Sequence, residues 1–397
     1  MATTTLPPTQ PRVPFWRDVR IIRLALQVGF VLLLAAAAAA LYSNLQANLT
    51  RRGIQLGYGF LGSTAGFDIG ESLIPFDASR TYGQALVVGF MNTLLLVFWG
   101  LIFATLIGVV VGVARLSSNW LVRQAAGIYV NIIRNTPLLI QLMFWYFGII
   151  LPLPSVRNAI QLPGPIYVSQ RGLYLIAPVP AEGFPAWLPF LGVAALSPLV
   201  LHLSFRWMQR RLDRPVSPWF KLSYLLLPIG IATIGLILLP MPPLALSVPE
   251  LRGLNFRGGL RLSPEFAAML FGLTTYTAAF IAEIVRAGIQ AVSTGQVEAA
   301  HALGLNPAQT LRLVIFPQAL RVIIPPLTSQ YLNLAKNSSL AIAIGFPDLF
   351  SVAGTVFNQT GTAIEIILLL MASYLAMSLF TSLLLNTYNR RVQLVER

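Results

Sequence analysis

The chain returns repeatedly to apolar runs of about 20 residues, the length an α-helix needs to cross a hydrocarbon core of about 30 Å. Eight such runs are read, at 21–42, 85–113, 137–153, 186–205, 221–241, 265–287, 326–345 and 361–386. A soluble fold does not absorb so many. Of the 397 residues 56% are hydrophobic and 10% charged, where soluble domains carry about 25% charge. Inside hydrocarbon each run must satisfy its own backbone groups, so helices are expected and the fold class is all-α, a polytopic membrane protein. The first run exceeds the roughly 7–15 apolar residues of a signal peptide and is read as an uncleaved anchor.

Basic residues orient such a chain, because they collect on the cytoplasmic side. Most of the 27 lysines and arginines fall in alternate segments: before the first run, in 114–136, in the link 206–220 with Arg210 and Arg211, around 286–321, and after the last run. Both termini are therefore expected in the cytoplasm, with 43–83 and 154–185 as outer, Gly/Pro-rich loops. The net charge of +14 is spread over loop ends that meet anionic membrane lipids. No basic stripe interleaves with aromatics, so no nucleic-acid partner is expected.

Chemistry within the chain is sparsely equipped. There is no cysteine, and the two histidines, His202 and His301, lie far apart, so no metal is assigned. No phosphate-binding G-x-x-x-x-G-K-[ST] loop occurs, and no segment outside the runs is long enough to fold around a nucleotide. Scarce carboxylates argue against an acid/base enzyme. No cofactor is expected on this chain, and any energy source is a partner subunit or an ion gradient. The organisation read is a tail at 1–20, a first span and outer loop at 21–83, a bundle part at 84–153, an inserted block of loops and one helical pair at 154–262, a second bundle part at 263–391, and a tail at 392–397.

One stretch between the sixth and seventh runs is too polar to span and too patterned to be a slack loop. Ser293 and Gln296 fit a capping box that opens a short helix ending near Leu303. Gly304 stands where a helix closes in a left-handed turn. Asn306, Pro307 and Gln309 fit the start of a second helix, which Pro317 is expected to end. Leu303, Leu305, Leu311 and Val314 give this hairpin an apolar side, and Ala299 and Ala300 keep its first helix thin.

The residues Glu298-Ala299-Ala300, Gly304, Val314, Phe316 and Pro317 resemble the EAA loop of ATP-binding-cassette (ABC) importer permeases, with Val and Phe in place of Ile and Leu. The stretches Thr275–Ile289, Arg134–Gln141 and Lys336–Leu340 are similar to polar amino-acid permeases over 84–152 and 263–391. The long N-terminus and the 154–262 block look like the general L-amino-acid, Aap/Bzt-type subunits. The resemblance implies a type I importer core in the bacterial inner membrane. It implies that 293–317, with Glu298, Ala299, Ala300, His301, Gly304, Leu305 and Pro317, couples to a cytoplasmic ATPase that uses ATP and Mg. A second, unlike permease subunit and a periplasmic amino-acid-binding protein complete the expected assembly.

Polar residues inside the runs are costly against lipid and should face protein or a water-filled path. Asn92, Thr93, Gln141, Asn333, Lys336, Ser338 and Ser339 are the candidates for a translocation path, with helix–helix hydrogen bonding as the other use of the smaller ones. Glu283 and Arg286 stand three apart on one helix and are read as a structural pair. An ion-driven secondary amino-acid transporter is the alternative. Such folds often repeat a half, and no second copy of the Glu298–Pro317 pattern occurs.

Overall fold

The computed structural model describes residues 19–51, 57–212 and 218–392. Most of the expected tail 1–20, the centre of the link 206–220 and nearly all of the tail 392–397 lie outside them. Among the described residues six helices are long and apolar enough to cross a membrane, and Leu138–Ile150 and Leu222–Leu238 are shorter apolar helices. The mostly helical class stands as read.

Helix α7 (Pro264–Gln290) is the centre of the bundle. Of its apolar window 61% is buried, against 28% or less for the other five. It begins where Ser263 accepts a hydrogen bond from the Phe266 N–H and Pro264 takes the first turn, the position that needs no donor. Helix α2 (Tyr82–Ala114) starts from a capping box of Thr81 and Gln84 and crosses α7 on small residues. Ala104 is fully buried, and a Cβ added at Gly108 would fall 2.6 Å from the Ile281 Cβ. Small residues let membrane helices approach until backbone packs on backbone. The spacing of Gly108 and Gly112 belongs to that device, and the hydropathy reading passed over it.

The third expected run, 137–153, is a short apolar helix over Leu138–Ile150, with a break before it. Helix α3 (Trp120–Asn135) precedes Pro137, α4 (Leu138–Met143) follows it, and a π-turn segment continues over Phe144–Ile150. Proline supplies no N–H and clashes with the preceding turn, so the break falls there. Helix α3 was not expected. It packs on α7, where the Tyr129 hydroxyl donates to the Thr275 carbonyl at 2.6 Å.

The seventh expected run also differs. Its helix starts earlier, running without interruption from Pro307 through a π segment at Leu311–Ile315 into Phe316–Asn337. We number Pro307–Thr310 α9 and Phe316–Asn337 α10, with Thr294–Ala302 before them as α8. After α10 the chain tightens into a 3₁₀ turn over Ser338–Ile344 and reverses at Gly345, φ 77°. Asp348 caps α11 (Leu349–Thr360), and Gly361 leads to α12 (Ala363–Val392). Helix α1 (Val19–Arg51) has none of its apolar window buried within the chain.

The inserted block holds the expected helical pair, α5 (Phe184–Leu212) and α6 (Pro218–Leu238). Trp187 Nε1 donates to the Ala232 carbonyl at 2.9 Å between them. The flanking segments, expected to be loops, carry eight short strands. The largest sheet runs β1-β2-β3-β8 (Ile160–Leu162, Ile166–Ser169, Gly172–Leu175, Leu260–Leu262), and the pairs β4-β5 (Ala177–Pro180, Leu244–Ser247) and β6-β7 (Glu250–Arg252, Asn255–Arg257) are separate ribbons. The β3–β8 register sets Tyr174 opposite Arg261, closing the insertion on itself and returning the chain to Ser263. Tyr174 is 1% exposed, under Phe256 and bonded to Asn255 Oδ1.

Candidate functional site

The hairpin is built from two stops and a restart. In α8 the N–H of Gly304 bonds the His301 carbonyl and that of Leu305 bonds the Ala300 carbonyl. This double closure satisfies the helix end and requires a left-handed residue between them. Gly304 supplies it, with φ +78°. Asn306 and Gln309 then form the expected reciprocal box at the start of α9. The box expected of Ser293 and Gln296 does not form. Ser293 makes no side-chain cap, and the Gln296 side chain instead accepts from Gln318 Nε2 at 3.4 Å, tying α8 to α10.

Pro317 does not end the second helix. The Phe316 N–H bonds the Leu311 carbonyl, five residues back. A π-turn of this kind widens the helix just where the proline ring would meet the preceding carbonyls. Arm and membrane helix are thereby one continuous rod.

Of the residues singled out here, Ala300 is buried against the second arm, Leu305 is half-buried, and Glu298, Ala299, His301, Gly304 and Pro317 are exposed. Leu303 at the tip is 82% exposed, and Leu311 46%. No ion pair of Glu298 occurs among the described residues. Beside the root of the hairpin lies an apolar cavity of about 710 Å³ lined by Val109, Val113, Val285, Leu311, Phe316 and Leu320.

The path candidates separate into two sets. Asn92, Thr93 and Gln141 are buried and engaged. Asn92 Nδ2 donates to the Glu71 and Pro347 carbonyls at 2.7 and 2.9 Å. Thr93 Oγ1 donates to the Gly89 carbonyl and accepts from the Leu349 N–H. Gln141 Nε2 donates to the Ile133 and Thr136 carbonyls, holding the break at Pro137. These three tie the bundle together, the use weighed against a path for them. Ser338 is buried with its hydroxyl on the Ala335 carbonyl, and Ser339 bonds back to Lys336. Asn333 and Lys336 are exposed on the surface of the chain.

Two groupings escaped the sequence reading. Glu283 and Arg286 do pair, but Arg115 from the end of α2 also binds Glu283, and Arg134 of α3 stands 3.7 Å away. At the opposite end a polar cavity of about 550 Å³ is lined by Glu71, Arg261, Ser263, Glu265, Ser351 and Thr355. Burial raises the pKa of Glu71 above the usual carboxylate value, opposed by the hydrogen bond from Ser263. No local pattern announces either grouping, since Arg115 and Glu283 lie 168 positions apart.

Residues 104–394 match the family model described as binding-protein-dependent transport system inner membrane component. The chain is 48% identical over 363 residues, 90% of each partner, to YhdX of Escherichia coli (strain K12), a provisionally named amino-acid ABC transporter permease protein. It is 43% identical over 388 residues, 97% of this chain and 94% of the other, to the general L-amino acid transport system permease protein AapQ of Rhizobium johnstonii. It is 40% identical over 415 residues, 96% of each, to the glutamate/glutamine/aspartate/asparagine transport system permease protein BztB of Rhodobacter capsulatus. A solved amino acid ABC transporter with histidines aligns over 78% of this chain and 95% of its own at 24% identity, TM-score 0.47. The ion-driven alternative finds no support among these relatives, and the chain belongs to the family of inner membrane components of binding-protein-dependent transport systems.

Proposed function

We propose that the chain is one of two permease subunits of an ATP-driven importer of L-amino acids, and that α8 and α9 seat on a cytoplasmic ATPase. The cargo class is that named for YhdX, AapQ and BztB. The observation that carries the coupling reading is the hairpin tip. Leu303 is 82% exposed at the Gly304 turn, which joins α8 to the capped arm α9 that runs unbroken into α10. An apolar side chain held out of the bundle on a stiff support fits a partner groove, and a stiff support transmits displacement to the membrane helix. Glu298 and His301 on α8 and Leu305 beside Gly304 complete the contact surface, and ATP and Mg act in the partner.

The hairpin and both termini face the cytoplasm in this reading. The β-stranded insertion faces a periplasmic amino-acid-binding protein, and a second, unlike permease subunit shares the path. The path includes Asn333, Lys336 and the 3₁₀ turn with Ser338 and Ser339. The test is Leu303→Asp, which touches no packed contact. The variant should insert and assemble with the second permease, while ATPase co-purification and ATP-driven amino-acid uptake fall about tenfold, what one buried apolar anchor contributes. Full uptake by Leu303→Asp would make the hairpin a mere connector.

A further inference from the structure

Three charged side chains line the polar cavity at the end of the bundle opposite the hairpin, and they come from separate parts of the chain. Glu71 lies in the segment after α1, Arg261 on β8 of the insertion, and Glu265 in the first turn of α7. Ser351 and Thr355, one turn apart on α11, add to its polar wall. Opposite charges thus share one space, yet among the described residues no ion pair joins Arg261 to either glutamate. The Arg261 Nε donates to the Arg171 carbonyl at 3.3 Å, which fixes the side chain and leaves its Nη groups without a partner among the described residues. Glu265 accepts from the Tyr146 hydroxyl at 2.8 Å, and Glu71 accepts from the Ser263 hydroxyl. Each carboxylate is oriented by a neutral donor and has no cation of its own. Burial raises the Glu71 pKa, the Ser263 hydrogen bond opposes it, Glu265 raises it further and Arg261 lowers it, so the three groups act on one another across the cavity.

The cavity is recessed. Asn92, ten residues past Tyr82 at the start of α2, binds the Glu71 and Pro347 carbonyls, about 15 Å below that first turn at about 1.5 Å per residue. Gly345, where the chain reverses after the 3₁₀ turn, also lines the cavity, so the space reaches the break that follows α10. Backbone that leaves the helix within a membrane needs protein or water around it. Behind the charged wall, Phe266 and Phe346 are 2% and 1% exposed, with ring centroids 5.8 Å apart. These neighbours of Glu265 and Gly345 back the cavity with apolar core. Its volume of about 550 Å³ falls in the range of about 300–1,000 Å³ that small-molecule sites occupy.

We propose that this cavity is a reception site for a free amino acid, with the α-carboxylate on the Arg261 guanidinium and the α-ammonium between Glu71 and Glu265. This rests on the importer reading above and adds to it a first stop for the cargo. A zwitterion answers both charges of the cavity at once. A simple anion would leave the two carboxylates facing each other, and a simple cation would leave Arg261 unanswered. A guanidinium fork also matches a carboxylate through two parallel hydrogen bonds. Both groups recognised belong to every amino acid, so the site accepts a broad cargo and leaves the side chain to other contacts.

The experiment places Thr355→Cys in this cysteine-free chain, within the transporter purified with its co-expressed membrane and ATPase partners. The Thr355 hydroxyl only bonds back to the Ser351 carbonyl at 3.2 Å, so its loss disturbs little. A charged, impermeant thiol reagent reacts with a thiolate that water can reach, and the cysteine should label. L-glutamine alone should protect it in a saturable way, whereas N-acetyl-glutamine, which lacks the ammonium, and glutamine methyl ester, which lacks the carboxylate, should not. Adding Arg261→Met should raise the half-protecting concentration about tenfold or more, the worth of one hydrogen bond between charged groups, and Arg261→Lys should keep it within about threefold of the parent. Each variant is read in the complex that still co-purifies with its partners. Four results overturn the proposal: no labelling, which closes the cavity to water; equal protection by either blocked glutamine; protection indifferent to Arg261→Met, or lost equally in Arg261→Lys; and protection by an amino-acid-free binding protein but not by L-glutamine, which makes the cavity a docking surface. ATP-driven uptake by the otherwise unaltered transporter tests the importer reading separately. Its failure with protection intact faults that reading and leaves the site, and uptake without protection does the reverse.

Discussion

The guanidinium of Arg115, which ends α2, binds the carboxylate of Glu283 on α7. Arg286 binds the same carboxylate, and Arg134 adds a third guanidinium while lying over the Phe280 ring at 5.3 Å. One acidic group thus holds three helices at the end of the bundle that carries the hairpin. Removing it leaves three cations facing one another in a partly desolvated place. Breaking such a pair from one side is strongly destabilising when buried, and with Glu283 one quarter exposed a smaller loss of about 2 kcal/mol is expected. Glu283→Gln should lower the thermal midpoint of the purified chain, and Arg115→Met should lower it less, because Arg286 and Arg134 remain to neutralise the carboxylate.

The contact of α2 with α7 should be the least forgiving in the bundle. A Cβ on Gly112 would lie 2.8 Å from both the Ala282 carbonyl and the Val285 Cβ, and backbone cannot rotate out of the way as a side chain can. Gly112→Val should therefore cost about 3 kcal/mol or more, at the upper end of overpacking effects, and reduce the yield of folded protein. Gly127 is a control, since an added Cβ there meets nothing within 4 Å. Equal loss in Gly127→Ala and Gly112→Val would show that the tight crossing is unimportant.

Glu71 gives the chain a pH signature. Its raised pKa, caused by burial against α7 and the 345–355 segment, means that the folded state binds the proton more tightly than the unfolded state. The stabilising contribution is therefore complete below the unfolded value, about 4.3, and is lost as pH rises through the higher folded value. Thermal midpoints measured upward from about pH 4 should fall over that window, and Glu71→Gln should flatten the fall. A profile unchanged by Glu71→Gln would assign the dependence to other groups.

Periodicity and length made the spans legible, and local turn chemistry made the hairpin legible: Gly304 and the Asn306–Gln309 box stand as their residue types require. What stayed hidden depends on distance in sequence or on compensation. The strands of the insertion are three or four residues long and set among Gly and Pro, too short to show alternation. The stop expected at Pro317 is overruled by one wide turn, a compensation that no residue in 311–315 announces. Lys336 was legible as a costly residue, but its exposed, partnerless setting emerges only once α10 is seen to bury its other face.

Gly304 separates coupling from simple connection. Its φ of +78° is a conformation that L side chains rarely adopt, yet a Cβ there meets nothing within 4 Å. Any effect of substitution is therefore one of backbone geometry and not of crowding. Asn visits the left-handed region with little penalty, whereas a β-branched residue there is a genuine outlier. Gly304→Val should shift the closing turn of α8 and misdirect Leu303, at a local cost of about 1–2 kcal/mol that leaves the spans untouched. The expected result is normal membrane insertion for both variants, retained ATPase co-purification and uptake for Gly304→Asn, and loss of both for Gly304→Val. If Gly304→Val transports as well as the parent, the angle between α8 and α9 carries no movement into α10, and the hairpin has no coupling role.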